Sequence, residues 1–379
     1  MLIARQTEQG LQSNIRHTSG HAALLRHSSL IVWEEMPMSK KSAMECVDEL
    51  LQQLMGSELP FGGKAFLGVG DFRQVAPIIK NATRLGVVEA SPQSSHLWPT
   101  FRILRLHQAI RHASDPEYSS WVDDIGDGHI VGEDIKLDLV NEVTDVEDAV
   151  VYLYPDHSLR DYETLQGRSF LSPLNVSVDD FNQRVLNRIP EPATCYRSID
   201  GLKESEGAQR NLNPTSDLSV YLALLRDPGV PPAKLELKVG SICRIIRNMN
   251  AVDGLVKNAR VVVIHPGRRY VEVRLLAEPN HARTFLLPRI NFEFKPDFAP
   301  WTVLRRQIPL RLAYAATFNS CQGLTLDRCV VDLRTPVFSH GQLYTSLTRV
   351  RHRDHLRALY DADNQSQATS NVVFPELLL

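Results

Sequence analysis

Two stretches decide the fold: SLIVWEE at residues 29–35 and KAFLGVGDFRQVAP at residues 64–77. The first reads as a short buried strand that ends in two carboxylates, Glu34 and Glu35. The second reads as another apolar strand, again ending at an acid, Asp71. Continuous apolar runs of this kind suit a parallel sheet covered on both faces. Between them, KKSAMECVDELLQQLMG (40–56) sets Ala43, Val47, Leu50, Leu51 and Leu54 at helical spacing and stops at Gly56. Phe61-Gly62-Gly63 then makes the turn into the second strand. Strand, helix, strand with polar residues at the strand ends is the α/β pattern, and ligands are expected beyond the carboxyl ends.

Working outward, residues 115–148 carry twelve Asp or Glu against the single lysine Lys136, and read as a lobe boundary or surface insert. SFLSPLNVSVDDFNQRVLNRI (169–189) is a second strand-plus-helix block. Residues 196–234, rich in Ser, Pro, Gly and Asn, read as a long connection. From 235 to 303, short β-rich segments separated by turns predict a small barrel, and 309–350 returns to α/β character. The net charge of −2 hides a cationic C-terminal region: residues 301–353 hold eight Arg, no Lys and only Asp327 and Asp332 as acids. Such a face suits a phosphate backbone, and equally a solvated basic surface. No apolar run is long enough to cross a bilayer, and MLIARQTEQG lacks the apolar core of a secretory signal. Five cysteines with no C-x-x-C pair point to reduced thiols in an intracellular protein, without zinc.

Adjacent carboxylates at a strand end are what a magnesium–nucleotide site needs, one acid for the metal and one to polarise the attacking water. Glu34 and Glu35 fit those places, although two Glu after an apolar run also suit a solvated helix start. GDFRQVAP (70–77) puts Asp71, Arg73 and Gln74 in the loop beyond the neighbouring strand, where a Gln can sense a γ-phosphate. LRLHQAIRH supplies Arg111 and GQLYTSLTRV supplies Arg349; guanidinium groups are well suited to the charge that builds up in phosphoryl transfer.

In order along the chain, LIVWEEMPM, FGGKAFLGVGDFRQVAPII, LRLHQAIR, WVDDIGDG, FLSPLNVSVDDFN, RRQIPLRLAYAATFNSCQGLTL and PVFSHGQLYTSLTRV resemble the landmarks of Pif/RecD-type superfamily-1 DNA helicases. The likeness runs from about Ser13 to about Arg353 and is nearest to the branch carried by Helitron-type transposons. The resemblance implies two RecA-like P-loop lobes, the first at 1–114 and the second at 166–234 and 304–379, with an acidic segment at 115–165 and an inserted barrel at 235–303. It also implies ATP hydrolysis in the cleft, coupled to 5′-to-3′ movement along single-stranded DNA. By the same resemblance Glu35 is the general base, Glu34 the magnesium acid, Gln74 the phosphate sensor, and Arg111 and Arg349 the cleft arginines. Gln322 and Gly323, within Thr317–Thr325, would couple nucleotide to DNA, with Thr317, Asn319 and Thr325 on the backbone. Phe72, Trp98 and Tyr344 are candidates for stacking on bases, and each also fits a core position. A monomer acting on single strands and duplex junctions is expected, without a membrane, in the nucleus or the mitochondrion. Repair, telomere and transposition roles all fit.

The chain departs from this pattern in its missing phosphate cradle. No G-x-x-x-x-G-K-[ST] occurs, and Gly62-Gly63-Lys64 follows the acids instead of preceding them. The expectation is a chain that begins inside the first lobe, exposes an apolar sheet edge and turns over no ATP by itself. Glu34 stands for an Asp, Ala109 for an Asn, Ser320 for a Lys, Leu324 for a Gln and Thr348 for a Ser. A DNA-binding remnant without catalysis is the alternative to a motor; a GTPase would not carry GDFRQ and GQLYTSLTRV together.

Overall fold

The structure, a computed structural model, describes residues 5–7, 10–79, 82–203, 221, 222, 225, 227, 229–277, 283–296, 301–364 and 366–379. A hairpin of β1 (Arg5–Thr7) and β2 (Gly10–Gln12) leads to α1 (Gly20–His27), which is capped by the Ser19 hydroxyl. β3 (Leu30–Trp33) runs parallel to β4 (Ala65–Gly68), with α2 (Lys41–Met55) between them. Both strands and the helix stand where the apolar spacing put them, and Gly56 ends α2 in the left-handed conformation at φ 62°. Met44, Val47 and Leu51 of α2 pack with Phe61 and Leu97 against Ile31, Trp33 and Phe66. Gly62 is obligatory there, because a Cβ would lie 2.5 Å from the Leu51 carbonyl oxygen.

The opposite face of this pair departs from the expectation of a sheet covered on both sides. Leu30 and Val32 are each 51% exposed, and Leu67 is 43% exposed. Leu104, Leu106 and Ile110 are likewise exposed, on a stretch with no assigned strand. Beyond it, α3 (Arg84–Ala90) completes the helices of the first lobe.

The second lobe is built on a parallel sheet, and the acidic segment belongs to it. After α4 (Pro116–Gly126) come β5 (Gly132–Lys136), β6 (Asn141–Val143), α5 (Val146–Leu153) and α6 (Tyr162–Gln166). β7 (Arg168–Ser172) and α7 (Asn175–Arg188) follow, as the 169–189 pattern predicts. The expectation that 115–148 is a lobe boundary or surface insert is therefore corrected. α4 buries Tyr118, Val122 and Ile125 in the core, and β6 is a parallel edge strand of the sheet. Acidity misleads here because the charges other than Asp115, which is buried against Arg353, lie on outer positions while the apolar residues turn inward.

The β-rich unit is wider than residues 235–303. It comprises β8 (Thr194–Arg197), β9 (Ile199–Lys203), β10 (Lys234–Leu237), β11 (Ile242–Ile245), β12 (Arg260–Pro266), β13 (Tyr270–Leu275), β14 (Phe285–Pro288), β15 (Ile290–Phe294), β16 (Thr302–Gln307) and β17 (Leu310–Leu312). The orders are β14-β13-β12-β11-β17, β15-β16-β9 and β10-β8, antiparallel throughout. Among the described residues these strands form three sheets, and Tyr196, Leu237, Ile245, Val263 and Val273, from β8, β10, β11, β12 and β13, share one core. The supposed connection 196–234 contributes β8 and β9, while its stretch 204–220 lies outside the described residues. Buried Arg305 pairs with Asp200 at 2.8 Å and donates to the Leu222 carbonyl, so its charge is satisfied.

The chain returns through β18 (Ala315–Thr317), β19 (Arg328–Asp332), α8 (Gln342–Leu347) and β20 (Leu356–Leu359), giving the sheet order β18-β7-β19-β20-β6. Alternate residues face alternate layers. Cys329 and Val331 meet α4 and α8, and Val330 meets α5 and α7. β21 (Ala368–Asn371) pairs with β5, and the last residues reach the first lobe. There Glu376 pairs with Arg84 at 2.7 Å, and the Leu377 carbonyl accepts from Gln93 Nε2 at 3.0 Å. Among the described residues no helix is long and apolar enough to cross a membrane, and no group of three His, Cys, Asp or Glu could hold a metal.

Candidate functional site

The strand β3 delivers its two carboxylates differently. Glu34 is exposed, while Glu35 is half-buried and sits in the left-handed region at φ 52°, ψ 40°. A non-glycine residue held there stores on the order of 1 kcal/mol or more, so the surroundings must impose it. They do. Met36 N–H is bonded to the Val69 carbonyl at 3.0 Å, and Pro37 packs so close to Gly70 that a Cβ there would meet it at 2.2 Å. The turn brings the Glu35 carboxylate within 3.4 Å of Gln322 Nε2, which donates to it from the loop after β18.

The GDFRQ loop beyond β4 is clamped by the second lobe. Asp71 accepts from Arg73 Nε at 3.1 Å and from the Tyr344 hydroxyl at 2.7 Å. Arg73 also reaches Asp123 at 2.7 Å and lies 4.8 Å from the centre of the Tyr344 ring. Burial works against the Arg73 charge, yet Asp71, Tyr344 and Asp123 hold its pKa above the ordinary value. Burial, reinforced by Asp71, keeps the Tyr344 phenol protonated well above its usual range, as its donor role requires. His340 Nε2 donates to the Phe72 carbonyl at 2.9 Å, and His340 Nδ1 accepts from Phe374 N–H at 2.9 Å. Gly341 must be glycine, since a Cβ would come within 2.4 Å of the Arg73 carbonyl oxygen. Val75 N–H donates to Thr345 Oγ1 at 3.2 Å. The loop is thus held from both sides, and Gln74 Oε1 is left buried without a partner.

The two arginines meet at Thr348. Arg111 Nη1 donates to the Thr348 carbonyl at 2.8 Å, and Arg349 Nη2 donates to the Thr348 hydroxyl at 2.6 Å. Arg349 is 1% exposed, and its Nε has no partner. Burial first, and the neighbouring Arg349 charge second, push the Arg111 pKa below its ordinary value, while Tyr344 and Glu35 pull the other way. Among the described residues neither arginine forms an ion pair. Two desolvated guanidiniums side by side, neither held in an ion pair among the described residues, form a place for an anion.

Glu35, Gln322, Arg111 and Arg349 are therefore brought together between the lobes. Gln74, in the clamped loop after β4, hydrogen-bonds to none of the four, and Glu34 stands outside. Gly323 is exposed at φ 77° with open space around it. Thr317 and Asn319 line a groove of about 620 Å³, together with Pro77, Ile78, Phe338 and Gln342; Thr325 is exposed outside it. The stacking candidates occupy packing positions. Phe72 meets Trp98 edge-on at 5.5 Å between ring centres, and Tyr344 is 4% exposed. The sequence reading missed His340 and the part of Thr348 as the acceptor shared by Arg111 and Arg349. Their one signal was adjacency, to Gly341 and to Arg349 respectively.

A family model described as PIF1-like helicase matches residues 2–136. The chain is 24% identical over 350 residues to the ATP-dependent DNA helicase PIF1 of Danio rerio, covering 90% of this chain and 48% of that protein. It is 24% identical over 334 residues to the ATP-dependent DNA helicase Pif1 of Bdellovibrio bacteriovorus, covering 86% of this chain and 65% of that one. The chain thus spans about half to two thirds of the length of these relatives. Its fold resembles the crystal structure of Pif1 helicase from Candida albicans, with TM-score 0.61, 22% identity, and coverage of 93% of this chain and 77% of that one. It also resembles a Bacteroides Pif1 helicase in complex with ADP-AlF3 and single-stranded DNA, with TM-score 0.64, 19% identity, and coverage of 94% and 76%.

Proposed function

We propose that this chain is a PIF1-like helicase and forms part of an ATP-dependent DNA helicase that moves 5′-to-3′ along single-stranded DNA, a reading that the family-model match and the helicase relatives support. The observation that carries the reading is the meeting of Glu35, Gln322, Arg111 and Arg349 across the lobes. Two guanidiniums without ion-pair partners among the described residues, and the unpartnered Arg349 Nε, fit the terminal phosphate of a nucleoside triphosphate. Bound ATP would supply the bond whose cleavage drives movement.

In this reading Glu35 orients and deprotonates the attacking water, held by Gln322 until the phosphate arrives. Arg111 and Arg349 stabilise the charge that develops on the terminal phosphate. Glu34, exposed beside Glu35 in the sequence, would contact Mg²⁺, and Gln74 would register the phosphate through the clamped loop. The α- and β-phosphates need a cradle of backbone amides that residues 1–379 do not spell. The groove that holds Thr317 and Asn319 would carry the DNA strand, so one loop touches both ligands. A single copy suffices for this arrangement, and DNA sets the location, nucleus or mitochondrion.

The test is calorimetric titration of the 379-residue chain with inorganic tripolyphosphate. Saturable binding that Arg349→Gln removes supports the reading; equal binding by the variant overturns it. The alternative, a DNA-binding protein without turnover, is favoured by the open apolar face of the first lobe. It predicts DNA binding that tripolyphosphate does not alter.

A further inference from the structure

The antiparallel sheet beside the groove carries a rank of like charges. In register, Arg244 on β11 lies opposite Arg260 on β12 and opposite Arg311 on β17. Like charges directly opposite one another weaken a sheet, so three in a row oppose its stability. The outer two are engaged by backbone oxygens. Arg260 donates to the carbonyls of Gln166 and Ala313, and Arg311 donates to those of Asp227 and Val230.

Arg244 is different. It makes no hydrogen bond or ion pair among the described residues, and its Nε is buried without a partner. Burial, then Arg311, and more weakly Arg260, press its pKa below the ordinary value, while Asp179 pulls the other way. The side chain lines the same groove as Lys257, Asn258, Thr317 and Asn319. Thr317 and Asn319 belong to the second lobe, and Arg244 and Lys257 to the β-rich unit, so the two parts form facing walls of that groove.

We propose that Arg244, seconded by Lys257, is a phosphate seat for the DNA backbone, supplied to the groove by the β-rich unit. The inference rests on the reading of this groove as the path of single-stranded DNA. A planar guanidinium can grip a phosphodiester through two parallel hydrogen bonds. A passing phosphate would supply the anion that Arg244 lacks and relieve its repulsion from Arg260 and Arg311. A contact of this kind carries no base information, so it suits a groove that must accept any sequence.

The experiment is fluorescence anisotropy of a labelled oligo-dT strand across a salt series. The proteins are the wild type, Arg244→Gln, Arg244→Lys and, as a control outside the groove, Arg160→Gln. Each phosphate contact on a single strand contributes roughly 0.7 to the slope of log affinity against log salt. Arg244→Gln is expected to weaken binding at low salt and flatten the slope by roughly that amount. Arg244→Lys keeps most of the slope, Arg160→Gln keeps all of it, and Arg244→Gln melts no lower than the wild type. An unchanged slope in Arg244→Gln overturns the proposal while leaving the groove reading intact. A lower melting temperature with unchanged DNA binding assigns Arg244 to a structural pairing with Asp179, and also overturns it. Failure of the wild type to bind the strand at all overturns both.

Discussion

Gln322 donates from Nε2 to Glu35 Oε2 at 3.4 Å, while the Oε1 of the same amide stays buried with no partner. One half of the amide therefore restrains the carboxylate, and the other half awaits a donor. The same loop begins with Thr317 and Asn319 in the groove wall. A ligand that draws Gln322 away from Glu35 must pull on the loop that lines the groove.

That linkage predicts the behaviour of Gln322→Ala. In the wild type, tripolyphosphate should change the affinity for oligo-dT by the 5- to 150-fold (about 1–3 kcal/mol) typical of coupled sites. In the variant both ligands should still bind, each indifferent to the other. Anisotropy titrations with and without tripolyphosphate measure this, and retained coupling in the variant would count against a link through Gln322 and Glu35.

Arg111 gives a second expectation. Because its charge is disfavoured by burial and by Arg349, Arg111→Gln should raise the melting temperature of the ligand-free protein. It should also shrink the stabilisation by tripolyphosphate. Differential scanning fluorimetry tests both; a variant that melts lower than the wild type would contradict the repulsion.

His340 predicts a dependence on pH. Burial lowers its pKa, opposed by its bond to the Phe72 carbonyl and by the carboxylates of Asp71 and Glu376. The unfolded chain therefore binds a proton at a higher pH than the folded one. Stability should be constant above roughly pH 6.5, the unfolded histidine value, and fall as the solution is acidified below it. His112, also lowered by burial and by Arg111, adds to the same trend. In urea titrations, His340→Gln should lower the neutral plateau by about 1–3 kcal/mol through the lost bonds and reduce the acid slope. An unaltered slope would exclude His340 as its source.

Leu30, Val32 and Leu67 on β3 and β4, with Leu104 and Leu106 nearby in sequence to the arginine segment, leave an apolar surface open. Such surfaces bind hydrophobic dyes and promote association. The 379-residue chain should enhance anilinonaphthalene sulfonate fluorescence at neutral pH, and the pair Val32→Thr with Leu67→Thr should reduce both that signal and light scattering. No dye response from the wild type would mean that this face is covered in solution.

Much of this architecture can be read from local pattern. The β3–α2–β4 unit and the β7–α7 block announce themselves because burial on one face imposes a period that the letters display. β6 does not, since Asn141–Val143 becomes a strand only by pairing with β20, far along the chain. β8 and β9 lie in a stretch whose composition resembles a connection, and their partners β10 and β16 decide otherwise. In the site, residue types could be read and geometry could not. Nothing in Glu34-Glu35 reveals that the second carboxylate enters the cleft through a left-handed turn, because that conformation is imposed by Val69 and by Pro37 packed on Gly70. Tyr344 looked available for stacking because its letter carries no mark of the Asp71 carboxylate that claims its hydroxyl.

The closing segment of the chain has a practical consequence. Glu376 and Leu377 fasten the end of the second lobe to Arg84 of α3 and to Gln93 of the first. An affinity tag or fluorophore fused at Leu379 would sit at this clasp and bias how widely the cleft gapes. Labels intended as silent reporters belong on the far rim of the β-rich unit, and a deliberately bulky fusion at the clasp would be a lever for prying the halves apart.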